Sequence, residues 1–525
     1  MRRWNGWGDL GRVAPVPPAL AAMLARELGV AHRPEDVALK DALARLPGAR
    51  PTSLAGVSTD PFDRLVHAHG QSFPDLVALR TASIATATDG VAHPTSPEEV
   101  RDLIRDAAHF GVAVVPYGGG TSVVGGVNTV PGARPVVTVD LGRLNQLRDL
   151  DEGSLLATFG AGTAGPDLEA ALRVRGLTLG HFPQSFEQST LGGWVATRSS
   201  GQQSLGFGRI EQLFAGGRLE TPAGPLVMQP FPASAAGPDL RHAVLGGEGR
   251  LGILTEAVVR VRRLPEVDVV VAAVIPGWSA GVSAARALAQ DGSGLSMVRL
   301  STPAETATSF LLAGRAGVAL SATLDVTRRG PDRCLLLAGL MGSTGQARQA
   351  GRHLRHVVRQ HDGVYLGRPL GAHWRRSRFR TPYLRDSLWE LGYGVDTVET
   401  ATTWSAVPQL VSELERALRE ALDLPVHVGT HLSHVYPTGS SVYTTFVFPL
   451  GVDPETTLDR WGRLTASARR AVAGSGGTIS HQHGVGLHHL DELVHEKGPI
   501  GTTALRALLS SVDPDGLMNP GKLLP

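Results

Sequence analysis

An α+β fold of several domains is predicted by three features of this chain. Its 525 residues exceed the roughly 250–300 that one hydrophobic core supports, so two or three domains are expected. A helix, a strand and a glycine loop follow one another between Ser96 and Ser122. From about residue 264 the pattern changes to longer helices alternating with strands.

Residues 1–85 are rich in Ala, Leu and Pro, with a helical patch at 18–28, and are read as an N-terminal helical extension. Ser96-Pro97-Glu98-Glu99 is a capping-box start with Pro at the first helical position. Val100, Leu103, Ile104 and Ala107 follow at i, i+3, i+4 and i+7, and Gly111 ends the helix. A strand at 112–116 leads into Tyr117-Gly118-Gly119-Gly120-Thr121-Ser122. Strands at 136–141 and 155–159 and a helix at 167–174 continue a domain assigned to 86–263. A second domain, 264–450, has helices at 280–289, 345–360 and 407–422 and a strand at 442–448. The remainder, 451–525, holds a helix at 455–472, a histidine-rich turn at 476–486 and a turn-rich end.

Fifty basic and 48 acidic residues leave a formal charge of +2, with no basic run interleaved with aromatics, so nucleic acid is not an expected partner. The lone Cys334 can form no intramolecular disulfide, which is compatible with a reducing compartment. No secretory signal and no uninterrupted apolar run of about 18 residues is present, so a soluble, cytoplasmic protein, at most peripheral to a membrane, is expected. Arg2, Arg3, Trp4 and Trp7 form a short aromatic arm expected to pack on its own protein rather than enter a membrane interface.

Three glycine-rich segments carry the chemistry. In the first, Gly118 to Ser122, glycines let the backbone approach a pyrophosphate while N–H groups and hydroxyls donate to it; a tight turn would use the same residues. It lacks the Lys of a Walker loop and does not open a helix as a Rossmann fingerprint does. The second runs GHFPQSFEQSTLGGWVATRSSG from Gly180 to Gly201, and the third GGEGRLGILTEA from Gly246 to Ala257. Three such loops point to a large ligand with several polar groups.

These segments, with WNGWG at the start, YLRD at Tyr383 to Asp386, GSSVY ending at Tyr443 and SHQHGVG, resemble the alkyldihydroxyacetonephosphate synthase family of the vanillyl-alcohol oxidase superfamily over nearly the whole chain. The resemblance implies a PCMH-type, two-subdomain FAD-binding domain, an α/β cap domain and a C-terminal segment returning to the flavin. FAD would be lined by Pro116, Gly118, Gly119, Gly120, Thr121 and Ser122, by Pro183, Ser185, Ser189, Thr190, Gly193, Thr197, Arg198 and Ser200, and by Glu248, Gly249, Leu251, Gly252 and Leu254. The matched family binds FAD noncovalently, although His181 is a histidine in these loops that could carry a link.

The implied activity exchanges the acyl group of acyl-dihydroxyacetone phosphate for a fatty alcohol without net redox turnover of the flavin. Tyr443 would be the acid–base residue, its phenol pKa lowered by neighbouring positive charge, assisted by His481 and His483. Arg385 would contact the phosphate and Arg299 the substrate, with an ion pair under the cap as the other reading of Arg299. His488 and His489 are assigned to the surface. The family's third turn histidine is here Gln482, its following lysine Leu487, and the arginine preceding the tyrosine strand His431. These departures keep a second activity in view, FAD-linked oxidation of a 2-hydroxy acid such as D-lactate or glycolate, which the DPDGLMNPGK ending favours. Some such enzymes hold substrate through a histidine-bound metal, but Gln482 replaces the usual Glu and no metal is expected. The expected partner is a small-molecule or lipid substrate, with room for peripheral membrane contact and a homodimer.

Overall fold

Helix Pro97–Phe110 shows how local chemistry sets the frame. Ser96 accepts from Glu99 N, Pro97 occupies the first position, and Gly111 closes the helix. The Glu99 carboxylate reaches Thr95 N (2.7 Å) and Thr95 Oγ1 (2.9 Å), so the reciprocal half of the expected capping box lands one residue early. Val100, Ile104 and Ala107 are buried against the first sheet. The computed structural model describes residues 2–524 except 293 and 327–329.

That sheet pairs Gly90–Ala92, Val136–Asp140 and Ala113–Tyr117 in parallel, with Val57–Ser58 as an antiparallel edge. The N-terminal extension therefore supplies a strand as well as its helices Pro18–Leu28, Leu39–Arg45, Pro61–Val66 and Phe73–Thr81. The second sheet is antiparallel, in the order Leu147–Asp151, Leu156–Gly160, Ile253–Arg260, Phe214–Thr221, Gly224–Met228. Helices Gly165–Arg173 and Leu191–Thr197 pack in its core.

The third sheet has eight strands. Its main path is Val364–Gly367, Val267–Pro276, Arg333–Gly342, Leu295–Ser301, His427–Leu432, Gly439–Pro449 and Tyr393–Thr403, and Val435–Tyr436 pairs with Gly439–Pro449. Side chains alternate across a strand. Leu336, Ala338, Val428, Phe446 and Phe448 face helices such as Val407–Glu420 and Pro454–Gly474 in one core. Leu337, Arg299, His431, Tyr443, Thr445 and Thr397 face the other way, into a cavity.

The aromatic arm packs on its own protein. Asp386 receives Arg80 (2.7 Å), Arg3 (3.3 Å) and Trp7 N (3.1 Å), and Trp7 is buried. Gly8, at φ +69°, sits where a Cβ would lie 2.4 Å from Tyr383 Oη, which accounts for the glycine in WNGWG beside YLRD. At the other end Asp513 accepts from Leu517 N and Met518 N (2.9 Å each). This turn lays the tail beside Ala113–Tyr117, with Val114 N donating to Leu517 O (2.9 Å) and Asn519 N to Val114 O (2.7 Å). Among the described residues no helix is long and apolar enough to cross a membrane.

Candidate active site

A cavity of about 690 Å³ lies between the glycine loops and the open face of the eight-stranded sheet, within the range of cofactor and substrate pockets. Every loop position expected to line a cofactor lines this cavity, except Arg198. Arg198 is exposed and its carbonyl accepts from Arg209 Nη2 (3.0 Å), so the side chain at the end of helix Leu191–Thr197 points away.

The cradle is close-packed backbone. A Cβ on Gly119 would lie 1.8 Å from Gln188 O, so the first two loops touch where only glycine fits. Thr190 caps Leu191–Thr197 and Trp194 Nε1 donates to Ser189 Oγ (2.7 Å), which orients the second loop. Glu248 in the third loop accepts from Val485 N and from Gly486 N (2.8 Å), fastening the histidine-rich turn to the cradle. Asn519 Nδ2 donates to Glu248 O (2.6 Å) and Gly126 O (3.0 Å). His181 is enclosed against Trp194 and Ser199 and does not line the cavity, so it is not placed to carry a flavin link.

Antiparallel register assembles the reactive wall. Tyr443 stands opposite Glu399 on one neighbouring strand and His431 on the other. Its hydroxyl donates to Gln184 Oε1 (3.3 Å) and its ring stacks on His431, with centroids 4.8 Å apart. The expected lowering of its pKa is reversed: burial, then the Glu399 charge, pushes the phenol well above its ordinary value of 10.0. Tyr443 thus keeps its proton at neutral pH and presents an O–H that donates hydrogen bonds.

Glu399 was not singled out in the sequence, yet it organises the wall from behind. Its Oε1 accepts from His481 Nδ1 and Gln482 Nε2 (3.1 Å each), and its Oε2 lies 3.3 Å from His483 Nε2. Burial opposes ionisation, but His483 and His481 hold the carboxyl down at about 2. Gln482 also accepts from Ser200 N (2.9 Å), a bridging role that needs an acceptor and a donor on one side chain. The two histidines separate in role. His483 lines the cavity, whereas His481 lies behind it, its Nε2 2.8 Å from Arg209 Nη1 and 2.6 Å from Tyr436 Oη. His481 is therefore corrected from a catalytic to a positioning residue. His488 and His489 are also corrected: both are mostly enclosed, His488 against Trp461, and burial lowers their pKa values, that of His489 to about 3.

Ligand atoms of Glu399, His434 and His481 lie within 4.8 Å of one another, close enough for a metal ion. The Arg209 guanidinium against His481, and Ser200 and Ser204 against His434 Nδ1 (3.1 and 3.2 Å), favour a hydrogen-bonded network at these atoms over a cation site.

Arg299 lines the cavity and also makes the ion pair of the second reading. Nη2 donates to Glu305 Oε1 (2.8 Å) and Nη1 to His431 Nε2 (3.1 Å), leaving His431 Nδ1 to donate to Glu305 (2.8 Å). Burial alone would raise Glu305, but His431 and Arg299 hold it at about 2, below the ordinary 4.5. The folded value is depressed, so the stabilisation is complete above pH 4.5 and fades as pH falls through about 2. The Tm advantage of the native protein over Glu305→Gln should be constant from about pH 5 to 8 and shrink below 4.5. An advantage that instead grows on acidification overturns the ion pair. Arg385 lines the cavity, but its Nη groups donate to Gln71 O (2.5 Å) and Ser72 O (3.3 Å).

A glycine cradle for a dinucleotide facing a charged and aromatic sheet defines a two-domain flavoprotein, and the chain matches the FAD binding domain over 87–228 and the C-terminal domain of FAD-linked oxidases over 264–523. The cradle fits FAD: its backbone admits no side chain at Gly119, and its donors face the cavity. Within that class the chain is similar to alkyldihydroxyacetonephosphate synthases. It is 28% identical to alkyldihydroxyacetonephosphate synthase of Dictyostelium discoideum over 100% of this chain and 93% of that one. It is 29% identical to the enzyme of that name from Trypanosoma brucei brucei, over 89% and 78% of the two chains. A solved alkyldihydroxyacetonephosphate synthase superposes with a TM-score of 0.86 at 27% identity, covering 99% of both chains.

Proposed function

We propose that this protein is an FAD-dependent, alkyldihydroxyacetonephosphate synthase-like transferase that exchanges the acyl group of acyl-dihydroxyacetone phosphate for a fatty alcohol in ether lipid synthesis. The observation that carries the reading is one cavity joining the glycine cradle, the Tyr443–His483 wall and an apolar arm. Val13, Pro17, Leu20 and Leu24 of the N-terminal extension form one side of that arm, and Leu312 and Leu388 line it as well. A three-carbon hydroxy acid has no use for such a wall.

FAD, when bound, supplies the electron-accepting ring at which the substrate carbon is activated. The chain's own residues then manage protons and water. The Tyr443 Oη–H hydrogen-bonds the departing carboxylate oxygen, which leaves as the anion, and His483, poised by Glu399, takes up the proton of the incoming hydroxyl. The apolar arm binds the chains and excludes water, so that an alcohol is the nucleophile. The same reading favours a cytoplasmic protein meeting membranes at their surface.

The test is anaerobic mixing of the yellow holoprotein with palmitoyl-dihydroxyacetone phosphate, in parallel with D-lactate and glycolate. Bleaching by the lipid substrate, with ether product on adding fatty alcohol, is expected; bleaching by a hydroxy acid alone assigns the oxidase activity instead. Leu24 is 1% exposed, so Leu24→Trp narrows the arm. Turnover with a long-chain alcohol should fall by about tenfold while a short-chain alcohol is unaffected, on the basis of about 1–3 kcal/mol for overpacking. Equal losses for both alcohols would remove the arm from the reading.

A further inference from the structure

Arg378 follows helix Arg368–Ser377 and turns inward, keeping 8% of its surface while lining the cavity. Its guanidinium carbon lies 4.7 Å from the ring centroids of both Phe182 and Phe379. Nη1 donates to Gln203 Oε1 at 3.2 Å, and Nε is buried without an acceptor. Among the described residues no carboxylate pairs with it, since Asp268 is occupied by Arg375 (2.6 Å) and by Gln203 Nε2 (2.9 Å). Burial, then the neighbouring Arg375, lowers its pKa to about 10, which leaves it charged at neutral pH.

A buried cation facing two phenyl rings and one neutral amide is costly unless an anion completes it. The other arginines of the cavity differ. Arg299 is neutralised by Glu305, Arg385 is directed at backbone carbonyls, and Arg380 stands on the exposed rim. Arg378 lines the same cavity as the reactive wall. Phe182 beneath it is two residues from Gln184, which holds the Tyr443 hydroxyl, and two residues of chain span at most about 7 Å.

We propose that Arg378 is a specificity residue, the guanidinium that receives the phosphomonoester head of the substrate; this rests on the phosphate-bearing substrate proposed above. Its planar fork matches a phosphate dianion, and Phe182 and Phe379 fix its orientation before substrate arrives.

The test uses the holoprotein, Arg378→Met, Arg378→Lys and the exposed control Arg376→Met. Met keeps an unbranched stem between the rings, and retained flavin absorbance reports folding; if Arg378→Met loses flavin, Arg378→Lys carries the comparison. Binding of glycerol 3-phosphate, glycerol and D-lactate is followed by flavin difference absorbance and thermal shift, and the flavin midpoint potential is measured for each protein. Glycerol 3-phosphate should bind the native protein and Arg376→Met alike and weaken by about 10- to 100-fold in Arg378→Met, the span expected for a charge-assisted hydrogen bond, with partial recovery in Arg378→Lys. Equal affinity in the native protein and both Arg378 variants overturns the assignment while the phosphate-substrate reading stands. No glycerol 3-phosphate binding to the native protein removes that reading and the assignment together. A shifted midpoint potential with unchanged glycerol 3-phosphate affinity gives the charge to the flavin and overturns the proposal. D-lactate binding that alone depends on Arg378 replaces phosphate by carboxylate and overturns it too.

Discussion

Tyr443→Phe should lower turnover by about 10²- to 10⁴-fold, the usual contribution of a positioned proton donor, while leaving the flavin spectrum and Tm nearly unchanged. The hydroxyl donates across 3.3 Å to Gln184 Oε1 and the phenol is held protonated by burial and the Glu399 charge, so its loss removes a proton and one weak bond. The stacked contact with His431 is retained by phenylalanine. Stopped-flow absorbance separates binding from chemistry, and the native KM for the lipid substrate should survive. A variant that turns over at the native rate would remove Tyr443 from the reaction and leave His483 as the cavity's proton carrier.

The second large effect is expected at Gly119. Alanine would place its Cβ 1.8 Å from Gln188 O, a backbone atom that cannot rotate away, so the first two loops must part. Purified Gly119→Ala should emerge colourless or with a strongly reduced ratio of flavin to protein absorbance, and with a lower Tm. Gly132→Ala is the matched control, because open space surrounds that position. Full flavin occupancy in Gly119→Ala would falsify the close packing of the two loops.

Local chemistry explains which features were legible in the sequence. The Pro97–Phe110 helix was readable because its cap, first-turn proline, apolar spacing and terminal glycine all act within one stretch. The glycine loops were readable because backbone approach demands a residue type. Arg198 was misassigned because motif position says nothing about which way a side chain leaves a helix end. Glu399 was invisible for a different reason. It is one of two carboxylates in its strand, with Asp396 three residues before it, and only the register opposite Tyr443 gives it meaning. His481 and His483 looked alike, and a carboxylate between them, contributed from 82 residues away, assigns one to the cavity and the other behind it. The reversed shift of Tyr443 likewise depends on that buried charge, which spacing along the chain does not reveal.

The tail beside Ala113–Tyr117 bears on how the flavin domain can be inherited and dissected. Val114 meets Leu517, and Asn519 joins Gly126, 393 residues before it, to the carbonyl of Glu248, 271 residues before it. A fragment limited to 87–228 would lack both this tail and the third loop. A flavin-binding fragment transplanted without residues 513–519 would therefore present an unpaired strand edge at Val114 and a third loop that Asn519 no longer braces.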